Sequence, residues 1–169
     1  MKTTAFFTRI LSWLTGSRLT VDNSVVRELD LNRFLGSWFE VARFDHFFER
    51  GMSQTKANYV LRDDGNTDVI NVINTGIKDG KPKTAKGKAK LTDNPTLFRA
   101  SFFGPFYSDY RIMLLDADYR YMLIGSGSDT YLWILSRTSQ LSDSDRATIL
   151  TEAQRRGYDT DKLIWVKQN

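Results

Sequence analysis

From Leu31 onward the chain alternates apolar and polar residues in short runs, the period of strands with one dry and one wet face. Eight runs read as strands: "GSWFEVARF" (36–44), "KANYVL" (56–61), "TDVINVIN" (67–74), "TAKGKAKL" (84–91), "TLFRASFF" (96–103), "YRIMLL" (110–115), "YRYMLIG" (119–125) and "TYLWILS" (130–136). The connectors "RDDGN", "TDNP" and "GSGSD" supply the Gly, Asn, Asp or Pro of tight turns, so successive strands pair antiparallel in a meander. The period then changes. Ser142 followed by Asp145 predicts a capped helix start, "DSDRATILTEAQRR" continues it, and Gly157 is a stop. "KLIWV" (162–166) predicts a short ninth strand.

Eight antiparallel strands lose both sheet edges only by closing on themselves. The predicted fold is therefore all-β: an eight-stranded antiparallel up-and-down β-barrel with one C-terminal α-helix packed outside and a short ninth strand. At 169 residues, 41% hydrophobic and 13% aromatic, the chain suits one barrel domain (31–169) after an N-terminal amphipathic segment and linker (1–30). An eight-stranded lumen holds one small ligand if its lining is not all large. In "TAKGKAKL", Lys86, Lys88 and Lys90 take the wet face and leave Ala85, Gly87 and Ala89 on a dry face that is unusually small. That face predicts the wall of a cavity; the alternative is a gap filled by large side chains from across the barrel.

Composition narrows the chemistry. The charge of +4 comes with no Cys/His finger or basic recognition helix, so no nucleic-acid partner is implied. Lys78, Lys81, Lys83, Lys86, Lys88 and Lys90 fall within thirteen residues, which guards a strand against edge pairing or attracts an anionic surface. The absence of Cys excludes disulfides, thiolate metal sites and a Cys nucleophile, and a lone His46, read as a loop residue, excludes a multi-histidine metal site. No metal or cofactor is expected. In residues 1–16, Phe6, Phe7, Ile10, Leu11, Trp13 and Leu14 gather on one helical face and Thr8, Arg9, Ser12 and Thr15 on the other. Such a helix lies on a membrane surface, serves as an export signal, or docks on the protein body.

Gly36, Ser37 and Trp38 resemble the G-x-W motif of the lipocalins, "LDADY" (115–119) sits where their T-D-Y motif is expected, and Arg137 in "ILSRT" matches their third conserved-region arginine. The phrases "ARFDHFFERG", "YVLRDDG", "SFFGPFY" and "YLWILSRT" are similar to the bacterial branch of that family, whose best-known members are outer-membrane lipoproteins. The resemblance covers about Leu31 to Val166 and implies a structural role for Gly36, Trp38, Asp118, Tyr119 and Arg137. Trp38 can plug the closed end of a barrel while the Arg137 guanidinium lies over its indole, tying first strand to last. Two departures matter: "DAD" stands in place of the Thr-Asp pair, and the lipobox Cys is missing, so covalent anchoring does not carry over. The resemblance implies the cell envelope, periplasm or outer membrane; cytoplasmic or peripheral-membrane placement stays open.

With Trp38 pointing inward, alternation sends Glu40 and Ala42 inward and leaves Phe39 and Val41 outside under the helix. Similarity to the lipocalin pattern sets the phase of the other strands. On that basis the ligand-binding wall comprises Glu40, Ala42, Ala57 and Tyr59, then Val69, Asn71, Ala85, Gly87 and Ala89. It continues with Phe98, Ala100, Phe102, Ile112 and Leu114, and ends with Tyr121, Leu123, Tyr131 and Trp133. A Glu40 carboxylate inside the lumen must be paired or neutral, and inward tyrosines or an arginine near the closed end are the expected partners. Phe47, Phe48, Met52, Phe103, Pro105, Phe106 and Tyr107 crowd two loops at the open end, as a lid or a contact patch for membrane or a second subunit.

The wall suits a fatty acid, a lysophospholipid or another small hydrophobic ligand. The function expected is a non-catalytic carrier that stores or transports lipid in cell-envelope maintenance, with membrane contact and homodimerisation as further possibilities. Two alternatives are an interaction module working through the aromatic rim and a lipocalin-type enzyme. With no Cys and one loop His no nucleophile–base pair is visible, so an enzyme would have to use Glu40, Asp or Tyr.

Overall fold

The computed structural model describes residues 19–169, so the amphipathic helix expected over residues 1–16 lies outside the described residues. A single turn of helix, α1 (Leu31–Phe34), leads into β1 (Gly36–Phe44), β2 (Ser53–Leu61), β3 (Val69–Lys78), β4 (Lys81–Lys90) and β5 (Leu97–Phe103). Then follow β6 (Phe106–Leu115), β7 (Tyr121–Gly125), β8 (Leu132–Ser136), α2 (Asp143–Arg155) and β9 (Leu163–Trp165). Each of β1 to β7 pairs antiparallel with the next strand, and β1 pairs with both β2 and β8, which closes the eight-stranded barrel. β9 adds to the upper part of β1, where Ala42, Arg43 and Phe44 face Trp165, Ile164 and Leu163.

Several strands are longer than their apolar runs. β6 starts at Phe106 rather than Tyr110, and β3 reaches Lys78 rather than Asn74. These extensions carry Ser108, Asp109, Thr75 and Gly76 toward the open end, where the inner face is not packed and apolar alternation has nothing to satisfy. Ser142 caps α2 by accepting from Asp145 N at 3.1 Å, and the buried Ile149 and Ala153 turn its inner side to the barrel.

The apolar residues divide into two clusters. One fills the closed half of the barrel with Phe34, Trp38, Tyr59, Ile70, Phe98, Ile112, Met122 and Ile124. The other lies outside the wall, between the barrel and α2, and includes Val41, Phe44, Met113, Leu123, Ile134 and Ile149. At roughly 1.5–3 kcal/mol for each large side chain removed from water, these clusters dominate stabilisation.

The closed end is tied through Arg137, which lies 3.8 Å over the Trp38 ring and donates to the carbonyls of Arg33, Phe34, Leu35 and Ser37. Trp38 Nε1 donates to the Phe34 carbonyl at 2.8 Å. Gly36 has φ +97°, a left-handed conformation that favours glycine there. In the "DAD" turn Asp116 accepts from the backbone N–H groups of Asp118 and Arg120, while the Tyr119 hydroxyl accepts from Asp30 N. Residues 19–30 are held to the barrel: Val26 N donates to Ile112 O, Thr96 Oγ1 to Val26 O, and Arg156 to the carbonyls of Asp22 and Ser24.

Candidate ligand-binding site

Above the packed half the lumen is open. A cavity of about 190 Å³ is walled by Ala57, Val72, Ala89, Ala100, Phe102 and Leu135, with Tyr59 and Tyr110 below. A second, about 400 Å³ and more polar, lies toward the β3–β4 hairpin against Thr55, Thr75, Lys78, Lys83, Thr84 and Ala85. The two share Glu40, Phe48, Glu49, Asn74, Phe102 and Phe103 as lining.

Four ionisable groups are buried together beneath the loop that follows β1. Arg43 Nη1 donates to Glu40 Oε1 at 2.9 Å, and Arg43 Nη2 to the carbonyls of Glu49 and Met52 at 2.8 and 3.1 Å. Trp133 Nε1 donates to Glu49 Oε2 at 3.3 Å, and His46 Nε2 lies 2.9 Å from that oxygen without the alignment of a hydrogen bond. Burial first, and then the neighbouring Glu49 charge, push Glu40 up to about 8 against the pull of Arg43. Burial thus favours the protonated form of Glu40, whose Oε1 accepts from Arg43. The Tyr59 and Tyr110 hydroxyls bond to each other at 2.5 Å, and burial raises both phenols above their ordinary range. Among the described residues, Thr55 Oγ1 and Asn74 Oδ1 have no hydrogen-bond partner where they lie buried beside the second cavity.

A lipocalin-like domain model matches residues 29–168. The chain belongs to the lipocalin family. Outer membrane lipoprotein Blc of Citrobacter freundii is 47% identical over 149 residues, covering 86% of this chain and 82% of that protein. The Vibrio cholerae protein of the same name is 40% identical over 171 residues, covering 97% of this chain and 98% of its own length. Among solved structures, lobster apocrustacyanin A1 superposes with a TM-score of 0.67 at 19% identity, over 82% of this chain and 79% of that one, a likeness of fold.

Of the wall expected for this lipocalin, Glu40, Ala57, Tyr59, Ala89, Ala100, Phe102 and Trp133 border the first cavity and Ala85 the second. The remaining residues lie elsewhere, for identifiable reasons. A bulge between Glu40 and Ala42 flips the parity of β1, so Ala42 joins the outer cluster and Arg43 turns inward instead. A second bulge between Ile112 and Leu114 does the same to β6 and puts Leu114 outside. On β3 the inner face holds Ile70, Val72 and Asn74, which turns Val69 and Asn71 out; on β7 it holds Met122 and Ile124, which puts Tyr121 and Leu123 in the outer cluster.

Phe98 and Ile112 face inward but belong to the packed closed half. Tyr131 precedes β8 and stacks on Trp133 with ring centroids 5.6 Å apart, at the mouth. Gly87 borders neither of these two cavities: an added Cβ would meet the Ser101 carbonyl at 2.5 Å and the Phe102 ring at 2.6 Å, so Phe102 occupies the space that a larger side chain would need. Glu40 is paired with an arginine as expected, but with Arg43 under the mouth loop rather than near the closed end, and the inward tyrosines bond to each other instead. Glu49, Val72, Asn74, Ser108, Tyr110 and Leu135 also border the first cavity. Alternation from Trp133 reaches Leu135 directly; Glu49 and Asn74 carry no signal in the pattern.

Proposed function

We propose that this lipocalin is a non-catalytic carrier of a single-tailed lipid, a fatty acid or lysophospholipid, held with its acyl chain in the apolar cavity and its head toward the polar one. The observation that carries this reading is the pairing of an apolar compartment above the packed core with a polar compartment that shares its wall. Family membership and the Blc relatives support a binding role, and their naming as outer membrane lipoproteins supports the cell envelope as the place of work.

Apolar burial then sets affinity. At about 0.8 kcal/mol per buried CH₂, each added methylene tightens binding about fourfold until the cavity is full. Displacement of a fluorescent fatty acid by a series of saturated acids of increasing length measures this directly. A flat dependence on chain length overturns the carrier reading.

A further inference from the structure

We propose that the mouth of the barrel is a docking face for an anionic lipid bilayer. The face is built from two loops and a hairpin. In the loop between β1 and β2, Phe47 is 73% exposed and packs on Phe48 with ring centroids 5.4 Å apart; Phe48 in turn reaches Phe103 at 6.3 Å. In the turn between β5 and β6, Phe103 is 59% exposed and Phe106 77% exposed. Three adjacent, strongly exposed phenylalanines at one end of a barrel are a patch rather than scattered surface residues, and apolar tips of this size are what a bilayer interface accepts.

The charge around these tips fixes the partner. Lys78, Lys81 and Lys83 stand on the neighbouring hairpin, where Lys78 faces Lys81 across the β3–β4 register. Among the described residues the acids of the mouth are largely taken: Asp45 pairs with Arg50, and Asp109 with Arg99 and Arg111. Asp79 is the acid of the hairpin itself, so three cations face one anion there. A second copy of the chain docked mouth to mouth would bring lysines against lysines, whereas an anionic lipid surface complements them.

The strand pairing adds a reason for docking here. β4 meets β5 only at Lys88, Ala89 and Lys90, so its mouth-side stretch 81–87 is bonded to β3 alone. The polar cavity lies along that stretch, between Lys83, Thr84 and Ala85 on one side and Phe102 and Phe103 on the other. Seated on a bilayer by its phenylalanines, the barrel presents this seam to the lipid. Docking itself does not depend on which lipid is carried.

The test uses the full chain with vesicles of phosphatidylcholine alone and of equal parts phosphatidylcholine and phosphatidylglycerol. Wild type should co-sediment with the anionic vesicles and be released by added salt. The triple variants Phe47→Ser/Phe103→Ser/Phe106→Ser and Lys78→Glu/Lys81→Glu/Lys83→Glu should each lose at least about tenfold in partitioning, with thermal unfolding confirming that they fold. Because the sequence has no Cys, an environment-sensitive dye can be placed at Phe106→Cys and, as a control at the far turn, at Asp63→Cys. A blue shift on anionic vesicles at the first position alone is expected. Unchanged partitioning of both triple variants, or a response at position 63 instead, overturns the proposal. So does a wild-type dimer that the phenylalanine variant splits while neither protein binds vesicles. Chain-length dependence is read in solution without vesicles, so failure of docking and failure of the carrier reading are distinguishable.

Discussion

Glu40 shows how one buried carboxyl sets a pH response. Its proton affinity is raised in the fold, to about 8 from an ordinary 4.5, so the native state binds more protons than the unfolded chain between those values. The contribution is fully present below the unfolded value and is lost as pH rises through the folded one, with a slope of at most about 1.4 kcal/mol per pH unit. Glu40→Gln keeps an acceptor for Arg43, and it cannot ionise. Denaturant unfolding between pH 5 and 9 should therefore show wild type weakening toward the alkaline side and the variant holding nearly level, an ionic pairing essential to folding being refuted by that flatness. If the variant is instead destabilised equally at every pH, Glu40 is ionised in the folded protein and the burial argument fails.

At the scale of elements, the tie between α1, β1 and β8 runs through one guanidinium with four carbonyl acceptors and an indole beneath it. Arg137→Ala removes the cation–π contact and the hydrogen bonds together, and should cost about 2–4 kcal/mol in chemical denaturation. Arg137→Lys, with the charge but not the planar fork, should recover less than half of it. Both partners of this tie were legible in the sequence, as were the strand count, the meander and the capped helix, because each rests on local alternation, turn chemistry or a motif. The inner faces of β1 and β6 were legible only up to their bulges, since one inserted residue inverts parity and leaves no mark in the apolar pattern. The phase of β3 and β7 escapes the pattern for a different reason: "VINVIN" and "YMLIG" present apolar residues on both faces, one toward the lumen and one toward solvent or α2, so alternation does not distinguish them. The smallness of Ala85, Gly87 and Ala89 had two causes: the alanines border cavities, and the glycine admits the Phe102 ring.

For the whole molecule, the vertical division of the barrel separates stability from binding. The closed half is packed by large side chains, including Phe98, which sits edge-on to Phe34 at 5.5 Å and stacks with Tyr110 at 6.0 Å. The open half has small residues facing empty space, Ala100 among them. Two substitutions should therefore act in opposite ways. Ala100→Phe places a ring where the acyl chain is expected, so it should weaken lipid displacement at least about tenfold while changing unfolding free energy by less than about 1 kcal/mol, because the added atoms enter a void rather than a filled core. Phe98→Ala leaves a hole in the packed half and should cost about 3–5 kcal/mol of stability, while the protein that remains folded keeps the fourfold gain in affinity per methylene. A loss of the methylene dependence in Phe98→Ala, or an Ala100→Phe variant that binds as wild type does, would show that the acyl chain occupies some other part of the molecule.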